Sequence, residues 1–252
     1  MPIPVYVINL DRSTERLQAV QDSAARFGIL IRRVPAVDGS ALPQSALGDL
    51  DAAGFRRRHG KHVMPAEIGC YFSHLNVLEE IARGEAPYAV IIEDDIEFTA
   101  DFLPFLEALT RLSGWDAVKL VNHRTSLFRR FWRVDSHYSI GRCGHGPLGS
   151  SAAYVVTRRG AKKILTALKP MRLPYDVALE RGWSGNYAIF TTNRPLVAFS
   201  SQAASTIAGR SAYAKAKLPP WKRIGTLMFR TSDYLRRLCF AYAPNPLTDG
   251  HE

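Results

Sequence analysis

Tyr88–Phe98 reads YAVIIEDDIEF. Ala89 to Ile92 is a short apolar run with two adjacent β-branched residues, and Gly84 and Pro87 bound it upstream, which predicts a buried strand. The run stops in three consecutive acids, Glu93, Asp94 and Asp95, with Glu97 two residues further on. Adjacent carboxylates repel one another unless positive charge sits among them. The tip of a central strand in an α/β sheet is also where ligands bind. A divalent cation carrying a phosphorylated ligand would neutralise such a cluster, because hard cations prefer oxygen ligands. A solvated turn is the plainer reading, but an ordinary turn needs no three acids in a row.

Upstream, Pro65 suits the first position of a helix. Its core stripe is Ile68, Tyr71 or Phe72, Leu75, Leu78 and Ala82, and Gly84 closes it. Glu67, Cys70 and His74 are three and four apart and share a neighbouring face. Further back, Val5–Leu10 reads as a strand. Ser13 is placed to cap a helix carrying Leu17, Val20, Ala24 and Phe27 and ended by Gly28, and Ile29–Val34 reads as a second strand. Strand–helix–strand predicts a parallel pair with a right-handed crossover. No Gly-x-Gly-x-x-Gly follows the first strand, so a dinucleotide cofactor is not indicated. Arg12 and Arg16 stand at the strand-to-helix mouth, where they either meet a phosphate or form a solvated helix face. Gln44–Val63 has weak periodicity and reads as a mobile excursion with a basic patch.

Downstream, Asp101–Leu112 has the pattern of an amphipathic helix and Ala117–Val121 that of a strand. Thr125–Gly146 is polar, aromatic and basic, and reads as a long loop or hairpin. Gly149–Val156 is a strand of small residues, and Thr157 caps a helix with Ala161, Ile164, Leu165 and Leu168. Leu173–Asp176 breaks the chain and presents Asp176, with Glu180 one helical turn later. Ala188–Phe190 and Leu196–Phe199 are short strands, and Ser200–Gly209 is hydroxyl-rich. Cys143 and His145 lack a second ligand pair, which makes a metal site there a weak reading.

Hydrophobic residues make up 46% of the 252 and charged residues 22%, an ordinary soluble composition with room for one large domain. Cys70, Cys143 and Cys239 give no disulfide framework, which points to a reducing compartment. MPIPVYVINLDR has no basic n-region, so no secretory leader is expected, and no apolar stretch reaches the roughly 18 residues of a membrane span.

The net charge of +10 is uneven. Arg210–Phe240 holds eight bases and one acid, Asp233, which leaves +3 for everything else. No helix-turn-helix, zinc-finger or RNP-like pattern accompanies the charge, so a nucleic-acid partner is not expected and an acidic surface is. Within this tail Ile224, Leu227, Met228, Leu235 and Leu238 fall at helical spacing, flanked by Lys222, Arg223, Arg230, Arg236 and Arg237. A basic amphipathic helix either lies on an anionic membrane or packs its apolar stripe on the preceding domain.

Taken together, VYVINLDRSTERL from Val5, AVDG from Ala36, AEIGCYFSHLNVLEE from Ala66, YAVIIEDDIEF, GSSAAYVVTRRGAKKIL from Gly149, LPYDVALERGW from Leu173 and STI from Ser205 resemble glycosyltransferase family 25. These are the lipooligosaccharide and lipopolysaccharide galactosyltransferases of bacteria. The resemblance covers about Pro4 to Ile207, and the EIGC-x-x-SH helix followed by IIEDD is its most specific part. It implies a GT-A-type, Rossmann-like mixed sheet flanked by helices over residues 1–209; the basic extension 210–252 with its amphipathic helix follows and is not strongly patterned in the family.

The resemblance also implies inverting, metal-dependent transfer of galactose from UDP-galactose to a lipid-linked oligosaccharide. The expected location is the cytoplasm, with peripheral contact at the cytoplasmic face of the inner membrane as one of the two readings of the basic tail. The implied metal is Mn²⁺ or Mg²⁺ on Asp95 and Glu93. The implied donor-binding residues are Asn9, Arg16, Asp38, Glu67, His74, Glu93, Asp94, Ser205 and Thr206. Asp176 or Glu180 is the expected base, since an inverting displacement needs a carboxylate opposite the leaving group. At LPYDVALE the chain departs from the family's frequent PVDH and has no His after Asp176. A nucleotidyl or phosphoryl transferase using the same acids, and a non-catalytic sugar-nucleotide binder, are the alternative readings.

Overall fold

The computed structural model describes residues 3–200 and 216–244. The expected donor contacts Ser205 and Thr206 lie outside the described residues.

The opening is the parallel unit that the sequence predicts. β1 (Val5–Asn9) leads through α1 (Thr14–Ala25) to β2 (Ile31–Pro35), which pairs parallel to β1 with Val5 opposite Ile31. Ser13 occupies the cap position of α1, but its hydroxyl makes no capping bond. β3 (Tyr88–Glu93) lies on the other side of β1, again parallel, with Val5 opposite Val90. Ala89, Val90, Ile91 and Ile92 are wholly buried because both faces of this strand are covered. Val90 and Ile92 join Val5, Val7 and the helix α4 (Phe102–Thr110) in one core, while Ala89 and Ile91 join Tyr6 and Ile8 in the other. The second core rests on α3 (Pro65–Arg83) and α5 (Arg158–Leu168), which Thr157 caps by accepting from Gly160 N at 2.8 Å. Each fully buried Val or Ile contributes about 1.5–3 kcal/mol, so this strand is a fixed platform for the acids that follow it.

The remaining strands make the sheet mixed. β5 (Ala117–Lys119), β6 (Ser126–Arg133), β7 (Ser139–His145), β8 (Ala153–Thr157) and β9 (Ile189–Thr192) complete the order β2-β1-β3-β8-β5-β9-β7-β6. β8 runs antiparallel to both β3 and β5, and β6 and β7 form an antiparallel hairpin over the stretch expected to be a loop or hairpin. β4 (Ile96–Glu97) and β10 (Ala198–Phe199) pair in a separate two-stranded sheet. This is the expected α/β architecture, an eight-stranded mixed sheet flanked by helices.

Two expectations need correction. The excursion at Gln44–Val63 contains a helix, α2 (Ala52–His59), capped by Asp51 at Gly54 N (2.7 Å) and closed by left-handed Gly60. Only Gly54 and Phe55 of α2 are buried, and so short an apolar signal gives no visible period.

The second correction concerns the tail. α6 (Tyr175–Leu179) and α7 (Gly182–Gly185) precede a helix, α8 (Ile224–Tyr242), which packs on α2 and β7. Thr226, Arg237 and Ala241 are its buried residues and Phe229 and Phe240 pack against the core, while Ile224, Leu227, Met228 and Leu235 point outward. The apolar stripe is therefore not what holds the helix to the domain.

Candidate active site

β1, β2 and β3 are parallel, so Asn9, Pro35 and Glu93 end on one edge of the sheet. A cleft of about 380 Å³ opens there. Its walls are the β1–α1 turn with Arg12 and Arg16, the loop Ala36–Ser40 after β2, the first turns of α3, and Glu93–Asp95. The loop can lie against α3 only because two glycines meet. A Cβ on Gly39 would stand 1.8 Å from Pro65 O, and one on Gly69 would stand 2.5 Å from Val37 O. The AVDG and EIGC segments thus build one wall between them.

The three acids have three different settings. Glu93 Oε1 accepts from Ser151 Oγ at 2.7 Å and lies 3.3 Å from His74 Nε2. Burial pushes Glu93 up, but His74, Ser151 and Arg16 more than offset it, and its carboxyl lies below the ordinary value. Asp94 Oδ2 accepts from Asn9 Nδ2 at 2.7 Å, and Asp94 Oδ1 lies 2.5 Å from Arg16 Nη2. Burial nevertheless holds Asp94 above the usual carboxylate range. Asp95 Oδ2 stands 3.5 Å from the same Arg16 nitrogen, and its buried Oδ1 has no hydrogen-bond partner among the described residues. Burial first, and the charge of Glu93 second, push Asp95 up to about 6. The positive charge that three acids demand is thus supplied in part by Arg16, and Asp95 keeps a buried oxygen to offer. A buried carboxylate oxygen of this kind is the donor type that a hard divalent cation takes.

The other expected donor residues divide into those that face the cleft and those that stand behind it. Asp38 lines it, held down to about 2 by the hydroxyl and N–H of Ser40 and then by Arg12. Arg12 lines it too, paired with Asp38. His74 is buried on the cleft floor, its ring stacked on Tyr175 at 4.1 Å and its Nδ1 3.1 Å from Tyr154 Oη. Asn9 is buried behind the cleft, donating to Ser13 O and Asp94 while its Oδ1 accepts from Arg33 Nε at 3.0 Å. It orients Asp94. Glu67 accepts from Lys61 Nζ at 2.6 Å and from the N–H of Met64 at 3.0 Å, so it caps α3. The structure does not bring Glu67 to the cleft wall.

The two candidate bases also separate. Asp176, in the first turn of α6, stands beside Tyr175, and its carboxyl is raised by burial and then by the charge of Glu180, with Glu93 also acting on it. Glu180 is the centre of a buried cluster. It takes Lys119 Nζ at 2.8 Å, the N–H of Leu148 and Gly149 at 2.9 and 3.1 Å, and Arg237 Nη2 of α8 at 3.0 Å. A carboxylate so saturated and 4% exposed has the setting of a structural anion rather than of a base.

Sequence reasoning missed Ser151, Tyr154 and Tyr175, which fix His74 and Glu93 from other elements. Cys70 was legible beside His74. Its sulfur and the nearest ligand atoms of His74 and Glu93 all lie within 4.8 Å of one another, but burial and Glu93 hold the thiol well above its ordinary value, in the protonated form.

Comparisons with known proteins identify the family. A family model described as glycosyltransferase family 25 (LPS biosynthesis protein) matches residues 2–140. A glycosyltransferase 25 family member of Anopheles gambiae is 31% identical over 169 residues, 64% of this chain and 28% of that protein. Procollagen galactosyltransferase 1 of Danio rerio is 30% identical over 213 residues, 79% of this chain and 35% of that protein. Inactive glycosyltransferase 25 family member 3 of Homo sapiens is 30% identical over 212 residues, again 79% and 35%. The chain spans about a third of the length of the curated relatives it matches. With more than half of its residues under the family model and most of its length aligned to such relatives, the chain belongs to glycosyltransferase family 25.

Proposed function

We propose that this chain transfers a sugar, galactose from UDP-galactose, to a lipid-linked oligosaccharide of the lipopolysaccharide kind, with inversion and with a divalent cation. The observation that carries the reading is the two-signed cleft. Arg12 and Arg16 line it together with the acids, Arg16 lying 3.5 Å from Asp95 Oδ2, while Asp95 Oδ1 is a buried oxygen without a hydrogen-bond partner among the described residues. A nucleoside diphosphate brings negative charge for the arginines and, with its cation, positive charge for the acids. Asp95, with Glu93 beside it, would hold Mn²⁺ or Mg²⁺, which when bound withdraws charge from the diphosphate leaving group.

The protein's own part is positioning and proton handling. Asn9 and Arg16 fix Asp94, and Ser151 and His74 fix Glu93, so the acids do not reorganise when the donor arrives. Asp176 accepts the proton of the acceptor hydroxyl. Its raised carboxyl is a stronger base than a solvated one, which suits proton transfer near neutral pH. Galactose as the sugar rests on the family resemblance and on the relative named as a procollagen galactosyltransferase, and the lipid-linked oligosaccharide acceptor rests on the resemblance and on the family's description as an LPS biosynthesis protein.

The test is release of UDP from UDP-galactose, with other UDP-sugars and nucleoside triphosphates as controls, before and after EDTA. EDTA-sensitive, acceptor-stimulated release supports the proposal. Turnover of triphosphates alone would assign the acids to nucleotidyl transfer. Tight UDP-galactose binding without release with any acceptor would make the chain a binding protein, a reading that the relative named inactive keeps in play.

A further inference from the structure

α8 is attached to the domain by ion pairs and hydrogen bonds, and by Phe229 and Phe240, which pack against the core. Arg237 meets Glu180 at 3.0 Å, Asp233 meets Arg181 Nε at 2.7 Å, and Thr226 Oγ1 donates to Arg57 O at 2.9 Å. The opposite face carries Ile224, Leu227, Met228 and Leu235, which are 67%, 67%, 70% and 57% exposed. The apolar surface extends past the helix. Leu127 of β6, 56% exposed, converges with Leu238 and Tyr242 on the space above Gly144. Leu127 has a φ of 51°, a backbone conformation unfavourable for leucine, and it holds its side chain out at this place. A water-facing helix normally turns its apolar stripe inward. Here the inward side mixes the polar anchors Thr226 and Arg237 with Phe229, Phe240 and Ala241, and a second apolar patch is left outside.

The charge on this surface identifies its occupant. Arg237 and Asp233 are used in the buried pairs. Every other charge from Lys217 to Tyr242 is basic: Lys217, Lys222, Arg223, Arg230 and Arg236. Lys222 and Arg236 are exposed, and Trp221 beside them is 72% exposed. A second copy of this chain would bring like charge to like charge. No helix among the described residues is long and apolar enough to cross a membrane. We infer that α8 and the tip at Leu127 form a peripheral docking surface for an anionic lipid bilayer, with the apolar stripe entering the headgroup boundary and the basic residues meeting lipid phosphates. This inference does not depend on the transfer reaction.

The experiment is sedimentation of the full-length chain with vesicles of phosphatidylcholine alone or mixed with phosphatidylglycerol, at low and high salt. The wild type is expected to pellet with the anionic vesicles and to be released by salt. Leu227→Ser/Met228→Ser/Leu235→Ser alters only exposed positions, and circular dichroism and thermal melting check that it stays folded. It is expected to lower the partition at least about tenfold through lost apolar burial. Lys222→Gln/Arg236→Gln is expected to lower it roughly fivefold per charge. Equal pelleting by the wild type and the apolar variant overturns the inference, and so does pelleting by neither. A wild-type dimer that the apolar variant converts to a monomer, without vesicle binding, would assign the patch to self-association instead.

Discussion

Arg16 Nη2 lies 2.5 Å from Asp94 Oδ1 and 3.5 Å from Asp95 Oδ2, so one guanidinium holds two of the three acids at the tip of β3. At about 4 Å, opposite unit charges near a protein surface attract by roughly 4 kcal/mol before desolvation is counted. A cation entering at Asp95 competes with that attraction. Arg16→Ala is therefore expected to bind Mn²⁺ more tightly, by about tenfold, and UDP more weakly, also by about tenfold, because a charge-assisted bond to phosphate is lost. Calorimetry of each ligand separately reads the two changes. Parallel weakening of both would show that Arg16 merely supports the fold of the turn.

Asp95→Asn keeps the shape of the strand tip and removes a ligand charge. In the wild type, millimolar Mn²⁺ without donor is expected to raise the melting temperature by a few degrees, as any ligand bound only by the folded state does. The variant is expected to lose that shift and to lose transfer by at least about a hundredfold, since a Lewis acid supplies several kcal/mol of charge stabilisation. A variant that keeps both the shift and the turnover would make Asp95 a structural turn residue.

The parallel core was legible because its signals are local. β1 and β3 are apolar runs, and the period of α3 is strong enough to read without its partners. The acids were legible for a related reason: three in a row after a buried strand have no ordinary explanation. What was not legible depends on long-range pairing. Ser151 reaches Glu93 across 58 positions and Lys119 reaches Glu180 across 61, and nothing in either segment marks the partner. Glu180 and Asp176 look alike in the sequence, and only the buried lysine and arginine make one of them structural. The orientation of α8 was hidden most deeply. Its stripe suits a membrane or a packing partner equally, and only the buried Arg237 and the partly buried Asp233 show that the helix is held from the other side.

Asp176→Asn and Glu180→Gln are expected to fail differently. Loss of a general base costs about a hundred- to ten-thousandfold in rate. Asp176→Asn is expected to show that loss in kcat with UDP affinity retained. Glu180→Gln weakens four interactions with Lys119, Arg237, Leu148 N and Gly149 N, so its main effect is expected on the urea midpoint, with kcat of the folded fraction little changed. A stable Glu180→Gln with kcat down a thousandfold would return the base role to Glu180.

Arg237 contributes the tail's share of this cluster. Its guanidinium lies 3.0 Å from Glu180 and 5.2 Å from the Trp183 ring. Breaking a buried pair by removing one partner costs about 3–5 kcal/mol. Lys119 and two N–H groups still hold Glu180 here, so Arg237→Ala is expected to cost about 2–3 kcal/mol. Urea unfolding measures the loss, and limited trypsin digestion should show earlier cleavage within α8 if its docking is what weakens. Unchanged stability together with unchanged digestion would mean that α8 is held without this pair.

His59, at the end of α2 under the same seam, makes the fold sensitive to acid. Its ring meets Phe55 at 5.3 Å, and its carbonyl accepts from Arg230 of α8 at 3.3 Å. Burial, and then the charges of Lys61 and Arg230, hold its imidazolium down to about 3. The unfolded chain protonates near 6.5. Above that pH neither state carries the proton and His59 has no effect on the pH dependence. As pH falls through 6.5 the unfolded chain takes up a proton that the folded chain refuses, so stability drops until about pH 3. Between pH 7 and pH 5 this difference amounts to about 2 kcal/mol. His59→Gln cannot titrate, and it is expected to lose about 2 kcal/mol less than the wild type over the same interval in urea unfolding. Parallel stability curves for the two proteins from pH 7 to 5 would show that His59 takes its proton in the folded state, with the α2–α8 seam open enough to hydrate it.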